Sequence, residues 1–223
     1  MSTARNIIKN CIKAGNTVLG VGCYSAAIES TSDNKIIKVG NTPNDPWLYY
    51  YEEVIKPQLA VDNPHVPVVH DIHIDHGHDY YVAVIEKLYK HEERDHGDLS
   101  GADALEECIV ECAEANIDYY SWAGRLMERE AHDCYGEFNA SRLYDVLAGV
   151  RACKDSSIQL GCNEECDDGQ CNCSWESLSV DLHSDNIMYR RDGTVVINDP
   201  LCDTDMDEVD DLSNWADEME IVE

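Results

Sequence analysis

Three polar residues lie close together near the end of the sequence. In "VDLHSDNIMYRRDGTVVINDP", residues 180–200, Asp181 precedes Asn186 by five positions and Asp199 follows Asn186 by thirteen. The apolar runs predict strand, loop and strand, and the turn at 191–193 predicts a hairpin. A hairpin at this turn would return Asp199 to the loop that holds the other two residues. Oxygen ligands gathered in this way are typical of a magnesium and phosphate site.

This spacing matches the residues that phosphoryl transfer needs. The reaction uses a carboxylate that orients the attacking hydroxyl and two oxygen ligands that hold magnesium on the phosphates. Protein kinases supply this set as H-R-D-x-x-x-x-N followed by D-F-G. Here "SVD" supplies Asp181, Asn186 is in register with the Asn, and Asp199 lies in "INDP".

Two glycines and a lysine come earlier in the chain. Gly20 and Gly22 in "LGVGCYSAAIE" would let a strand–turn–strand approach a polyphosphate with its backbone N–H groups. Lys38 in "IIKVG" would face the space under this turn, because Ile37 and Val39 point to the other face of the strand. Each feature also has a plainer interpretation, which is a tight turn for the glycines and an exposed strand side chain for the lysine.

The first ninety residues predict the elements that would position this lysine. Residues 1–15 form a short amphipathic helix in this interpretation. Residues 16–90 predict five strands with one helix inserted after the third. That helix begins at Pro46, a favoured first helical residue, and ends near Pro57.

The later part of the chain has a different pattern. Apolar residues at three- and four-residue spacing predict helices within 101–130 and 138–156. A Cys-rich segment at 161–173 follows, and then the hairpin described above. The order of β-rich half, helices and short hairpin predicts an α+β fold.

The charge of the chain limits its partners. Forty-five Asp and Glu outnumber sixteen Lys and Arg, which gives a formal net charge of −29. This excess argues against direct nucleic-acid binding and against binding to an anionic membrane surface. It favours proteins with basic surfaces. No signal peptide or membrane span is expected, and the eleven Cys are interpreted as reduced thiols of a cytoplasmic protein.

Four motifs, "LGVGCYSAAIES", "IIKVG", "DLHSDNIMY" and "INDP", give the sequence a family resemblance. It resembles the protein-kinase-like superfamily, and most closely the early serine/threonine protein kinases of T-odd (Teseptimavirus-like) podophages, over about 16–205. The resemblance implies a bilobal fold with a five-stranded antiparallel N-lobe at 1–90, a reduced and mostly helical C-lobe at 91–205, and an acidic tail at 206–223. It also implies ATP and Mg²⁺ as cofactors, and transfer of the γ-phosphate to Ser or Thr of host bacterial proteins, and to the enzyme itself, in the cytoplasm of the infected cell early in infection.

The resemblance also implies a role for each matching residue. Those that would surround ATP are Gly20, Gly22 and Ser25 over the phosphates, Lys38 at the α and β phosphates, Ile85 as gatekeeper, and the hinge that includes Glu86 and Leu88. Those that would carry the reaction are Asp181 as catalytic base, Asn186 and Asp199 as magnesium ligands, and His183 as a hydrogen-bond partner of the γ-phosphate. A helix glutamate would hold Lys38; Glu52 and Glu53 both fit, and Glu53 is favoured.

The sequence departs from the kinase pattern in two places. "NDP" replaces D-F-G, so a switch that depends on the Phe is not expected. Only twenty-four residues follow Asp199, and they contain no A-P-E segment. These departures favour a constitutively active and promiscuous kinase over a regulated one.

Two further segments have both a functional and a plain interpretation. Cys162, Cys166, Cys171 and Cys173 have the spacing C-x3-C-x4-C-x-C, and four thiolates could bind Zn²⁺; acidic thiol-rich loops also occur without metal. The acidic tail is typical of a solvated end. It could alternatively recruit basic substrates, or fold over the active site with Trp215 as an anchor.

Two other functions remain open at this point. The "D-x-H-x-x-N" wording also fits a small-molecule kinase of the aminoglycoside or choline type, although such enzymes build their acceptor pocket from a large helical C-lobe. A non-catalytic acidic decoy that binds basic surfaces of a host enzyme would explain the net charge without any reaction.

Overall fold

A computed structural model describes residues 3–32, 34–41, 45–90, 109–110, 137–155, 157–159, 175–183, 185–203, 212 and 215. Most of the predicted helical region 101–130 lies outside these ranges, as do the candidate zinc ligands Cys162, Cys166, Cys171 and Cys173. The described elements form a mixed α+β structure, which agrees with the predicted fold class. No helix in these ranges is long and apolar enough to cross a lipid bilayer.

The N-terminal part of the chain forms one helix and a five-stranded antiparallel sheet. Its elements are α1 (Thr3–Lys13), β1 (Val18–Val21), β2 (Ser25–Glu29), β3 (Lys35–Asn41), β4 (Val69–Asp75) and β5 (Tyr80–Glu86). The strand order is β1-β2-β3-β5-β4, so β3 lies at the centre. Gly15 follows α1 with a φ of 87°, a conformation that ends a helix and favours glycine. The five predicted strands are therefore confirmed.

The alternation of side chains in β3 and β5 divides the apolar residues between two cores. Ile37 and Val39 pack on the side of the sheet that α1 covers with Ala4 and Ile8. Residues whose side chains point to the opposite face of the sheet, such as Ile85 of β5, pack in the main core. Because each face buries its own apolar set, a register slip of one residue would move each set into the wrong core, and the register is strongly specified.

The helix between β3 and β4 is not uniform. It consists of α2 (Pro46–Tyr50), a π-helical segment (Tyr51–Ile55) and α3 (Lys56–Leu59). The predicted start at Pro46 is confirmed, and Asp45 caps it by accepting a hydrogen bond from the backbone N–H of Trp47 at 2.9 Å. The helix continues two residues beyond Pro57, because this proline lies in the first turn of α3, where a missing N–H is tolerated.

The C-terminal part consists of one long helix and short strands. They are α4 (Glu137–Asp155), β6 (Ser157–Gln159), β7 (Trp175–Val180), β8 (Ile187–Tyr189), β9 (Val195–Ile197) and β10 (Leu201–Asp203). Strands β10, β7 and β6 form one sheet in that order, and β8 pairs with β9. The predicted hairpin is the β8–β9 pair, and Gly193 in its turn has a φ of 88°.

The main core joins these two parts of the chain. It contains side chains of α2, the π-helical segment, β5, α4, β8 and β9. A Cβ on Gly149 of α4 would lie 3.0 Å from Val54, so glycine lets α4 approach the π-helical segment closely. Tyr50 donates a hydrogen bond from its hydroxyl to the carbonyl of Ile197 at 2.9 Å. This bond connects α2 directly to β9, two residues before Asp199.

Two residues of the acidic tail pack on the outer face of the five-stranded sheet. Leu212 is fully buried and Trp215 is 6% exposed, both against the core between α1 and the sheet. The charged groups of Arg5 and Lys9 lie 5.9 and 5.5 Å from the centroid of the Trp215 ring. Trp215 is therefore an anchor, but at α1 and not at the 181–186 loop.

Candidate active site

Lys38 and Asp199 form an ion pair although 161 residues separate them. Lys38 Nζ lies 2.7 Å from Asp199 Oδ2. The Lys38 side chain is only 8% exposed, and that of Asp199 is 31% exposed. Lys38 is thus not a solvated strand lysine: it lies on the inner face of β3, opposite to Ile37 and Val39, as the alternation predicts.

Two backbone bonds hold Asp199 beside the 181–186 loop. The N–H of Asn198 donates to the carbonyl of Asn186 at 3.0 Å, and the N–H of Asp181 donates to the carbonyl of Pro200 at 2.8 Å. The residues on both sides of Asp199 are therefore bonded to the loop. The hairpin register, with Ile187 opposite Ile197, produces this return of the chain.

The loop itself brings Asp181, His183 and Asn186 together. The side-chain Nδ2 of Asn186 donates to the Asp181 carbonyl at 2.6 Å and lies 3.3 Å from Asp181 Oδ2. His183 Nε2 lies 3.7 Å from Asp181 Oδ2 and 3.1 Å from Asn186 Nδ2. The N–H of Asp185 donates to His183 Nδ1 at 3.2 Å, which leaves Nε2 facing the other two side chains.

The same contacts determine which atoms are left for a cation. Because Nδ2 of Asn186 donates to the Asp181 carbonyl, its Oδ1 is the atom available as a ligand. Asp199 uses Oδ2 for Lys38 and retains Oδ1. Among the described residues no group of three or more His, Cys, Asp or Glu could hold a metal ion on its own. Magnesium on a nucleotide fits nonetheless, since it is usually held by one or two carboxylates together with phosphates.

The glycine-containing turn does not need glycine for its own structure. Gly22 N–H donates to the Ser25 carbonyl at 2.8 Å and closes the turn between β1 and β2. A Cβ on Gly20 would meet no atom within 4 Å, and one on Gly22 would meet only this carbonyl at 3.8 Å. Neither glycine is among those with a positive φ.

Ser25 makes a contact that its predicted role does not include. It lies opposite Gly40 in the β2–β3 register, and its side chain hydrogen-bonds to the phenol of Tyr81. Burial raises the pKa of Tyr81 well above its usual value and nearby Asp45 adds to this, whereas the bond from Ser25 lowers it. The Ser25 hydroxyl therefore has a partner at Tyr81, and its contact with phosphates stays a prediction.

A buried carboxylate near Lys38 was not identified from the sequence. Asp45 is 4% exposed, and its Oδ2 accepts a hydrogen bond from the hydroxyl of Tyr81 at 2.5 Å. Burial raises the pKa of Asp45, while the charge of Lys38 lowers it and that of Asp199 raises it. The "DP" before the helix signals an N-cap, but its burial depends on contacts with β5 that a local pattern does not contain.

The prediction that Glu53 holds Lys38 is wrong for this structure. Glu53 and Glu52 are both exposed, and Glu52 pairs with Lys56 at 2.7 Å. Within the π-helical segment Val54 and Ile55 take the buried positions, so the two glutamates face outward. Lys38 pairs with Asp199 in place of a helix glutamate.

The segment that follows β5 was predicted to meet adenine. Ile85 is buried in the main core, and the N–H of Glu86 donates to the carbonyl of Val68 at 3.0 Å. Leu88 is 8% exposed, and in the described chain it makes no backbone hydrogen bond. Its neighbours Lys87 and Tyr89 both do. The N–H and carbonyl of Leu88 are therefore the backbone groups of this segment that a ligand could use.

Two cavities lie elsewhere. One of about 420 Å³ and one of about 290 Å³ share the lining residues Asn34, Lys87, Tyr89 and Arg191. Neither is lined by Lys38, Asp181 or Asp199. They are not part of the cluster described above.

Comparison with known proteins found no matching family model and no match among curated proteins. The arrangement of Lys38, Asp199 and the 181–186 loop is therefore the main evidence on what this chain does. Its chemistry is that of a buried ammonium paired with one carboxylate, whose flanking residues are bonded to a loop that carries further oxygen ligands. Such a set suits a polyanion with a divalent metal.

Proposed function

We propose that this chain is an ATP-dependent serine/threonine protein kinase with a bilobal protein-kinase-like fold. One observation carries the proposal: Lys38 Nζ lies 2.7 Å from Asp199 Oδ2, with Asp199 flanked by backbone bonds to Asn186 and Asp181. The five-stranded sheet, the inserted helix and the hairpin would then be the N-lobe and the reduced C-lobe.

Each residue of the cluster has a role in this proposal. Asp181, with a side chain that is 43% exposed, accepts the proton of the acceptor hydroxyl. The hydroxyl oxygen then bonds to the γ-phosphorus as the bond to the β–γ bridging oxygen breaks, and ADP leaves. Lys38 balances the charge of the α and β phosphates, and His183 Nε2 donates a hydrogen bond to the γ-phosphate.

Magnesium and ATP are the cofactors that the donor set fits. Asn186 Oδ1 and Asp199 would hold the ion. When bound, magnesium would neutralise charge that develops on the transferred phosphoryl group. The resemblance noted above supports ATP as the donor, and Leu88 offers the open backbone groups for adenine.

The glycines at 20 and 22 support the same proposal. The protein needs neither of them for space or for a positive φ. Gly20 lies in β1, and glycine in a strand lowers stability by roughly 0.5–1 kcal/mol relative to alanine. Close approach of a ligand to the backbone is a reason to keep it there.

The acceptors in this proposal are Ser and Thr of host bacterial proteins with basic surfaces, in the cytoplasm of a phage-infected cell. A net charge of −29 favours such partners by electrostatic steering. The proposed acceptors also include Ser and Thr of this chain itself.

The test is transfer of labelled γ-phosphate from ATP and magnesium to proteins of a bacterial lysate. We expect labelled phosphoserine or phosphothreonine, and a loss of at least 10²–10⁴-fold with Asp181→Ala, because the base and its contacts disappear. Asp185→Asn is the matched control. It lies in the same loop, where it pairs with Lys90 at 2.6 Å, and it is 58% exposed.

The second candidate is the acidic decoy, which the net charge favours. It requires binding to a basic host protein that weakens with salt and survives loss of both Asp181 and Lys38. Binding of that kind by a wild-type protein that neither binds ATP nor transfers phosphate would replace the kinase proposal.

A further inference from the structure

The buried ammonium of Lys38 shares or loses its carboxylate partner if the proposed reaction occurs. Its side chain is 8% exposed, and Asp199 is the carboxylate that it contacts. In the proposed reaction Asp199 binds magnesium, so Lys38 shares or loses this partner. The phosphates of ATP compensate part of its charge, but a buried ammonium that has lost its carboxylate still needs compensation and orientation from the protein.

The acids of the helix do not supply that compensation. Glu52 is paired with Lys56 at the surface, and Glu53 is exposed. Rotating either inward would disturb Val54 and Ile55, which are almost fully buried in the main core.

Asp45 lies on the same inner side of the sheet as Lys38 and is held there by two hydrogen bonds. Its Oδ1 accepts from the N–H of Trp47 at 2.9 Å, and its Oδ2 accepts from the hydroxyl of Tyr81 at 2.5 Å. The ring of Trp47 is also the surface on which Lys38 rests, with Nζ 4.8 Å from the ring centroid. Trp47 and Tyr81 are stacked at 5.6 Å. Trp47 therefore holds Asp45 with its backbone N–H and contacts the ammonium of Lys38 with its ring, while Tyr81 both stacks on this ring and bonds to Asp45.

The sheet makes this arrangement rigid. Gly40 lies opposite Tyr81 in the β3–β5 register, as Lys38 lies opposite Ala83. Residues two apart in a strand share a face, so Tyr81 and Lys38 lie on one face. A Cβ on Gly40 would overlap the Tyr81 ring, so the glycine is what allows the ring to cross β3 towards Asp45.

We propose that Asp45, held by Tyr81 and the Trp47 N–H, is the positioning residue for Lys38 and takes the part expected of Glu53. It keeps the ammonium charged and directed into the cleft when Asp199 turns to magnesium. The inference rests on the proposed kinase function, since it assigns how the lysine of that site is held.

Asp45→Asn is the informative variant because it removes the charge and keeps the N-cap oxygen. Its Nδ2 cannot accept from the Tyr81 hydroxyl, and Tyr81→Phe measures the loss of that hydrogen bond separately. Asparagine is as good an N-cap as aspartate, so the bond to the Trp47 N–H is kept. We expect the KM for Mg-ATP to rise and kcat/KM to fall on the order of 10²-fold, as expected when a reacting group is misplaced. The KM for the protein acceptor should not change. Tyr81→Phe leaves the charge of Asp45 but removes the hydrogen bond from the Tyr81 hydroxyl to it. We expect kcat/KM for Mg-ATP to fall on the order of 10-fold.

Direct titration of each full-length variant with Mg²⁺ and a non-hydrolysable ATP analogue separates positioning from folding. Partial unfolding raises the apparent Kd only by the reciprocal of the folded fraction, which circular dichroism measures. Glu53→Gln is the matched control and should bind the analogue as the wild type does. An unchanged Kd for Asp45→Asn, or a raised Kd for Glu53→Gln, overturns the assignment of Asp45 while the kinase proposal stands. Failure of the wild-type protein to bind the analogue or to transfer phosphate overturns both.

Discussion

Arg190, directly after β8, and Glu86, at the end of β5, form a bidentate ion pair across 104 residues. Arg190 Nε and Nη2 donate to the two carboxylate oxygens at 2.9 and 2.6 Å. The same guanidinium donates to the carbonyls of Pro64 and Val66. Glu86 in turn accepts the N–H of Val68 at 2.8 Å. One arginine therefore connects the end of β5, the loop before β4 and the β8–β9 hairpin.

Removing this arginine should destabilise the whole fold. We expect Arg190→Ala to lower the free energy of unfolding by about 3–5 kcal/mol, because the mostly buried Glu86 carboxylate loses its partner. Urea denaturation followed by circular dichroism measures the change. The neighbouring Arg191 is exposed and stacks on Tyr89, so Arg191→Ala should cost no more than about 0.5 kcal/mol. Equal losses in the two variants would contradict the assigned role of Arg190.

Much of the site follows from local patterns. Strand alternation places Lys38 opposite to Ile37 and Val39, and the turn ending at Gly193 returns Asp199 to the 181–186 loop. Both inferences use only the two-residue period of a strand and the conformational preference of a glycine turn. That is why they survive comparison with the coordinates.

The exposure of Glu53, the burial of Asp45 and the partner of Glu86 could not be predicted in the same way. A π-helical segment contains an extra residue in its turn, which rotates the following side chains relative to a regular helix and removes the basis for choosing Glu53. Asp45 and Arg190 depend on contacts with residues 36 and 104 positions away. Only the folded sheet brings those residues together.

Alanine at position 20 or 22 should separate stability from ligand binding. Neither Cβ would clash, so we expect Gly20→Ala and Gly22→Ala to leave the free energy of unfolding unchanged or raise it by about 0.4–1 kcal/mol. If the turn covers phosphates, the Kd for Mg-ATP should rise at least about 10-fold, because a methyl group blocks the close approach of the backbone. Thermal melts and nucleotide titration measure the two effects. Unaltered nucleotide affinity in both variants would remove the phosphate-binding role of the turn.

Trp215 should contribute to stability although it lies in the acidic tail. Its ring is 6% exposed against α1 and the sheet, and Leu212 N–H donates to the carbonyl of Cys23 at 2.8 Å. We expect Trp215→Ala to lower the free energy of unfolding by about 3–5 kcal/mol, since a large buried ring is lost. Val61→Ala is the control, because Val61 is 57% exposed. A loss in Trp215→Ala no larger than in the control would mean that the tail is not docked in solution.

The thiol of Cys153 provides a test of where Glu53 lies. Burial raises the pKa of Cys153 to about 12, and the charge of Glu53 adds to the rise. Because only the thiolate reacts, alkylation by iodoacetamide at pH 8 should be slow at Cys153 and faster at the half-buried Cys11, with the Cys153 rate increasing as pH approaches 12. Glu53→Gln removes the neighbouring negative charge, so it should lower the pKa and accelerate alkylation of Cys153 at pH 8, while leaving Cys11 unchanged. Peptide mass spectrometry at fixed reaction times gives both rates. If Glu53→Gln leaves the Cys153 rate unaltered and instead weakens nucleotide binding, Glu53 faces Lys38 after all, and the outward orientation of this glutamate is wrong.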